Sequence, residues 1–254
     1  MPAYDEAAVR AATHVLTGRR VAEVRGPKGW DHLALATGRA RPAPAGKDAG
    51  GATLVVPELL PLTEIRAEFS LTWESIRAAE RYGVDLDTGP VEQAARDVAL
   101  AEERLVYQGG PGTPGLLGAK GSPAVPARDW GKAGQAVTDL LAAVERLDAA
   151  GVGGPYAAVV DADRYFAYQG ATAEGGAYPA AKLLGGTVRE VFRSPVLQGG
   201  AVLSLRGGDA VITLGGDLTV RYRWHDGASV HFICVETVAV QLLTAEAVCV
   251  LRGR

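Results

Sequence analysis

The chain has 254 residues, with 26 Lys and Arg against 29 Asp and Glu, a net charge of −3, and it is 48% hydrophobic and 22% charged. That is enough apolar material for one large core or two small ones, which excludes a disordered chain, and too little positive charge for nonspecific nucleic-acid binding driven by phosphate neutralisation. No stretch reaches the roughly 18 apolar residues of a membrane span, and Met1–Glu6 has neither the basic nor the apolar part of a secretory signal, so a soluble cytoplasmic protein is expected.

Asp5 to Leu16 predicts a short Ala-rich helix with Val9, Ala12 and Leu16 on one face, stopping at Gly18. Residues 19–24 alternate charged and apolar side chains before Gly26-Pro27 breaks them. Gly38 to Ala52 is Gly, Pro and Ala with scattered charge and is expected to be a flexible connection. Thr53 to Leu71 alternates like extended strand, but Pro57 and Pro61 lack a ladder donor and bar it from the middle of a sheet. A two-stranded arm fits this segment. Such ribbons are marginal alone in water, so the arm needs another surface to lie on.

Asp87-Thr88-Gly89-Pro90 starts a helix whose apolar residues Val91, Ala94, Val98, Ala101 and Leu105 recur at spacings of three and four, as far as Tyr107. A second helix is expected from Lys132 to Ala149, with Val137, Leu140, Leu141, Val144 and Leu147 on one face and Gly151 beyond its end. Tyr156–Val160 has the unbroken apolar character of a buried strand. Four strands follow, 201–205, 210–214, 218–224 and 229–243, separated by Gly/Asp clusters that predict hairpins. Leu218, Val220, Tyr222 and Trp224 are expected on one face. The class is α+β, helices before antiparallel strands.

Chemical motifs are weak. Gly110–Gly115 matches the dinucleotide spacing G-x-G-x-x-G, but it follows a helix rather than a strand and contains two prolines. Asp161 and Asp163, after an apolar strand, could hold a divalent cation in a glycosyl or nucleotidyl transferase; a helix cap is the favoured reading, because no glycine-rich nucleotide loop precedes them. There is no nucleophile elbow. His14 is a lone imidazole, and Arg19 and Arg20 could clamp a carboxylate but default to solvated charges. Glu102 and Glu103 are adjacent on a helix and point to different sides, which argues against an acid/base pair. Cys234 and Cys249 lie in apolar strands and are expected as buried thiols. No His or Cys spacing suits a metal. Neither a catalytic centre nor a cofactor is expected.

Gly18-Arg19-Arg20-Val21-Ala22-Glu23-Val24-Arg25-Gly26-Pro27-Lys28-Gly29-Trp30 closely resembles the encapsulins, linocin-like bacterial and archaeal proteins that form hollow icosahedral compartments. The resemblance continues through Pro61–Leu71, Ala79-Glu80-Arg81, Gly154-Pro155-Tyr156, Gly176–Pro179, Arg206–Asp209, Leu214–Tyr222, Val235-Glu236-Thr237 and Leu243–Ala247, in family order. It implies the tailed-phage major-capsid fold of Hong Kong 97 type, divided here into an N-terminal helix and arm (1–46), an extended loop (47–71), a peripheral domain with a spine helix (72–127), an axial domain (128–216) and return strands of the peripheral domain (217–254). The segment before the first helix is shorter than the family's usual start.

The same resemblance implies a non-enzymatic shell protomer that assembles with itself and encloses a cargo enzyme, such as a dye-decolourising peroxidase or a ferritin-like protein, with no nucleic-acid or membrane partner. Cargo of this family carries a short C-terminal targeting peptide. By motif match, Arg19, Val21 and Glu23, with Leu218, Val220 and Tyr222 opposite, are implied in the lumenal groove for that peptide. Thr172, Glu174, Gly175, Gly176 and Tyr178 are implied in a loop near the five-fold pore. The alternatives are a phage-derived major capsid protein and the Asp161/Asp163 transferase.

Overall fold

In the computed structural model, which describes residues 2–43, 52, 54–83, 87–110, 112–171 and 179–253, helices α1 (Pro2–Thr13) and α2 (Gly18–Val21) lead into strand β1 (Glu23–Arg25). Strands β2 (Ala34–Pro42), β3 (Val55–Pro61) and β4 (Thr63–Thr72) come next, followed by helices α3 (Trp73–Tyr82) and α4 (Gly89–Gln108). The middle of the chain holds β5 (Ala124–Pro126), α5 (Gln135–Ala149), β6 (Tyr156–Val160), α6 (Ala162–Gly170), α7 (Ala180–Leu184) and β7 (Val188–Arg193). Five strands complete it: β8 (Gly200–Ser204), β9 (Ala210–Leu214), β10 (Thr219–His225), β11 (Ser229–Leu242) and β12 (Val248–Arg252). Among the described residues no helix is long and apolar enough to cross a membrane.

The 14-residue β11 is the hub of the first sheet. It pairs antiparallel with β4 along ten positions, Ser229↔Thr72 to Val238↔Thr63, with β10 at its start and with β9 at its end, and β1 adds parallel to β9. Buried Val230, Phe232, Cys234, Val238 and Val240 share one face of β11 and pack in the core with Val91, Ala94, Ala95 and Val98 of α4. Burying each such Val or Leu stabilises the fold by roughly 1.5–3 kcal/mol. Helix α4 is the long amphipathic helix that the 3.6-residue period predicts and that the resemblance makes the spine.

The second sheet has the order β5-β12-β8-β6-β7. Every residue of β6 is buried, because both faces of this sheet are covered. Ala157 and Val159 join the core beside α4, while Tyr156, Ala158 and Val160 join a second core with Leu140, Val144 and Leu147 of α5. Helix α5 begins at Gln135, later than expected, and Leu141 lies outside the apolar face, 41% exposed.

Four expectations need correction. Residues 38–42 of the expected connection are strand: β2 pairs with β3 to form the two-stranded ribbon, and β4 belongs to the first sheet, so only the β3 half of the ribbon lies within 53–71. Of the three predicted hairpins only β10–β11 exists. The turn at 206–209 passes from the second sheet to the first, and the turn at 215–217 joins β9 and β10, which both pair with β11 and not with each other. Alternation along β10 fails past Val220, where a register shift between Tyr222 and Trp224 leaves both rings exposed. The C-terminal β12 enters the second sheet rather than returning with β10 and β11.

Candidate functional site: the N-terminal seat, a buried carboxylate network and a free ribbon

Helix α1 lies across α4 and the start of β10. Its Asp5 carboxylate accepts from the Val220 backbone N–H at 2.9 Å and from the Thr219 hydroxyl at 3.2 Å, satisfying donors that an edge strand would leave open. Leu218 packs with Ala12, Leu16 and Ala99, and Val220 is buried in the main core. At the N-terminal end of this seat Tyr4, Phe69 and Phe232 gather, with Phe232 ring centroids 6.4 Å from Tyr4 and 5.4 Å from Phe69. Tyr222 meets Phe232 edge-on and is 54% exposed, and Trp224 stacks on His231 at 3.7 Å while 46% exposed. Tyr222, Phe232 and Tyr4 thus form an apolar rim open to solvent beside α1, whereas Trp224 and His231 lie on the opposite face of the sheet.

Where α1 joins the body, residues 17–19 are held by two consecutive glutamates of the spine helix. Glu103 is fully buried; its carboxylate accepts from the Gly18 N–H at 2.7 Å, the Thr17 hydroxyl at 2.6 Å and the Ser194 hydroxyl at 2.8 Å. Tyr107 bonds in turn to the Thr17 hydroxyl at 2.8 Å. Burial raises the Glu103 carboxyl above its usual range against the pull of those three donors, and burial also raises Tyr107. Arg19 reaches Glu102 Oε2 at 2.6 Å, Asp217 Oδ1 at 2.8 Å and Glu236 Oε2 at 2.9 Å. Burial works against the guanidinium charge, but Glu102, then Glu236 and Asp217, hold it firmly protonated.

The six residues implied for the peptide groove do not line one opening. Val21 and Val220 are core residues, 4% and 6% exposed, and Arg19 is spent in the ion cluster. Glu23 is exposed, with its carboxylate on Arg25 Nε and the Gly208 N–H; it borders a cleft of about 380 Å³ with Arg20, Val21, Arg189 and Asp209. Leu218 is half-buried under α1, and Tyr222 alone stands on the open rim. Thr172, Glu174, Gly175, Gly176 and Tyr178 lie outside the described residues.

Asp161 is the cap of α6: Oδ1 accepts from the Arg164 N–H at 2.9 Å, and Oδ2 accepts from the Gly199 N–H and the Arg164 guanidinium. Its lone pairs are occupied by the fold, as the cap reading requires. His14 is exposed, and the Arg20 guanidinium sits 5.4 Å from the centre of the Phe192 ring. The thiols Cys234 and Cys249 are buried and free, and burial pushes them up to about 12 and about 11.

Ribbon β2–β3 projects Val55 and Leu59, 60% and 55% exposed, and its seven-residue β3 has one buried side chain, Leu60. A protruding ribbon, a long spine helix and two sheets stacked through it define a capsid-type shell protein of the Hong Kong 97 fold. The virus-like particle of Pyrococcus furiosus superposes with a TM-score of 0.73 over 97% of both chains at 16% identity. The capsid of Myoviridae Phage XM1 does so with 0.64 over 94% of this chain and 92% of that one at 14% identity.

The chain belongs to the encapsulin family: the family model described as "Encapsulating protein for peroxidase" matches residues 3–239. It is 33% identical over 253 residues to the type 1 encapsulin shell protein of Rhodococcus erythropolis, covering 96% of this chain and 91% of that one. It is 34% identical over 251 residues to that of Rhodospirillum rubrum, covering 95% and 88%. It is a structural shell protomer.

Proposed function

We propose that copies of this chain close into a cytoplasmic icosahedral compartment around a cargo enzyme, and that the cargo is held by a short C-terminal peptide on the apolar rim beside α1. The protomer itself performs no catalysis in this reading. The observation that carries it is the ribbon β2–β3, which buries Leu60 but leaves Val55, Val56 and Leu59 exposed on their own chain. An isolated two-stranded ribbon is marginal in water, so a neighbouring copy supplies its missing surface. The rim supports the cargo half of the proposal. Exposed Tyr222, edge-on to buried Phe232, offers an extended apolar peptide an aromatic surface at small entropic cost.

A peroxidase is the leading cargo class, since the family description names one, and a ferritin-like protein is the other. The test is co-expression with a fluorescent protein carrying the C-terminal peptide of a candidate cargo. Tyr222→Ala is expected to leave particle size unchanged and to cut loading several-fold. Equal loading of both shells would contradict the rim assignment. Val21→Asp would not serve, because Val21 is buried and its replacement tests folding.

A further inference from the structure

Glu236 occupies the face of β11 that otherwise carries Phe232, Cys234 and Val238, and it is 1% exposed. Its Oε2 accepts from Arg19 Nη2 at 2.9 Å, whereas its Oε1 is buried with no hydrogen-bond partner. The same Nη2 donates to Glu102 Oε2 at 2.6 Å, so that this one nitrogen brings the fully buried Glu102 carboxyl beside that of Glu236. The charges facing Glu236 are Arg19 from α2, Glu102 from α4 and Asp217 from the turn before β10; from β4 its register partner is apolar Ile65. Next along α4, Glu103 and Tyr107 are taken up by Thr17, Gly18 and Ser194.

One cation therefore serves three carboxyl groups, two of them fully removed from water. Ionised together, Glu102 and Glu236 would place like charges side by side in a low-dielectric interior, which is the situation in which a carboxyl pair retains one proton. A carboxylate oxygen without a donor is costly when buried, but a hydroxyl there becomes the donor its neighbour can accept.

We propose that Glu236 keeps a proton in the folded protein and donates it in a hydrogen bond to Glu102, so that Arg19, Glu102 and Glu236 form a proton-dependent latch on the joint between α1 and the body. The latch is closed in mildly acidic and neutral solution. Loss of the proton leaves two adjacent buried anions on one guanidinium, weakens the hold on residues 17–19, and frees α1 from its seat on α4 and β10. Burial first, and the charge of Glu102 second, push the Glu236 carboxyl well above the usual carboxylate range, in the direction this requires. The latch is independent of what the compartment carries.

The test is hydrogen exchange of the backbone amides of residues 3–21 in assembled particles, at mildly acidic and at alkaline pH, with rates corrected for intrinsic chemistry. The native protein is expected to lose about tenfold or more in protection on the alkaline side, the equivalent of about one pKa unit. Glu236→Gln, whose amide supplies the same donor at any pH, is expected to remain protected throughout. A native protein with equal protection at both pH values, or a variant with the native pH dependence, overturns the proposal. Should the variant fail to assemble, the infrared spectrum decides. Particles of Glu103→Gln must show a protonated-carboxyl carbonyl band at neutral pH, and its absence overturns the latch.

Discussion

Glu103 is an acid without a cation, kept in place by three neutral donors on residues 17, 18 and 194. Glu103→Ala would leave the Gly18 N–H and the Ser194 hydroxyl buried without their acceptor and the Thr17 hydroxyl with Tyr107 alone; a loss on the order of 3 kcal/mol is expected, read from the denaturant midpoint. Arg19→Met strands Glu102 and Glu236 together and is expected to cost about 3–5 kcal/mol. Adding Glu102→Gln and Glu236→Gln to that variant should recover much of the loss, which a purely steric role for Arg19 would not allow.

The pH dependence of stability has two limbs. Glu103 and Glu236 have carboxyls raised in the folded state, mainly by burial, so their contribution is complete below the ordinary value of 4.5 and is lost as pH rises through the elevated one. The Arg206 hydrogen bond holds the Asp209 carboxyl below 3.8, so its contribution is lost only as pH falls through that lowered value. Thermal stability is therefore expected to fall towards alkaline pH, with a shallower alkaline decline in Glu103→Gln; an unchanged decline would exclude Glu103 as a source.

The sequence carried a trace of this network. Glu102 falls four residues after Val98 and three before Leu105, on the apolar stripe of α4, and Glu236 interrupts the apolar alternation of β11. A carboxyl in the middle of an apolar face signals a buried partner. Adjacent helix positions do point apart, but α4 is covered on several sides, so Glu102 and Glu103 are both buried. What could not be read is the partner: Arg19 lies 83 and 217 positions from the two glutamates it joins, and no local spacing records such a contact.

Among the elements, the spine helix and the wholly buried β6 were legible because their apolar period states how many faces are covered. The ribbon was legible in kind and misplaced in sequence. Its prolines excluded the interior of a sheet, as the structure bears out for β3, but its partner strand β2 lies in a segment rich in Gly, Ala and Pro that has no strand periodicity. The Gly/Asp turns between the late strands mark reversals of the chain; whether the two flanking strands pair depends on β11 lying between β9 and β10. Gly216 shows a packing need that no turn rule captures, since a Cβ there would stand 2.1 Å from the Trp30 ring, whose centre lies 3.6 Å from the Arg221 guanidinium. Gly216→Ala is expected to displace Trp30, seen as a red shift in tryptophan emission. On the ribbon, Val55→Asp with Leu59→Asp alters side chains that touch solvent, so far-UV circular dichroism should be unchanged while particles fail to form.

For the whole molecule, the two sheets share a core through α4, so the body folds as a unit and the ribbon extends from it. The ordered landmarks made the family legible before any contact was known, because a shell protein places turns, ribbon and spine in a fixed order. The peptide groove was less legible: Val21 and Val220 lie within matching motifs, yet the fold buries both. A motif records which residues recur together and not which of them face outward.

Electron cryo-microscopy of the purified native protein is the most direct measurement. The account predicts closed, uniform, hollow particles in which each ribbon, strands β2 and β3, lies on an adjacent protomer. A compact monomer in solution, with Val55 and Leu59 packed against its own body, would contradict it.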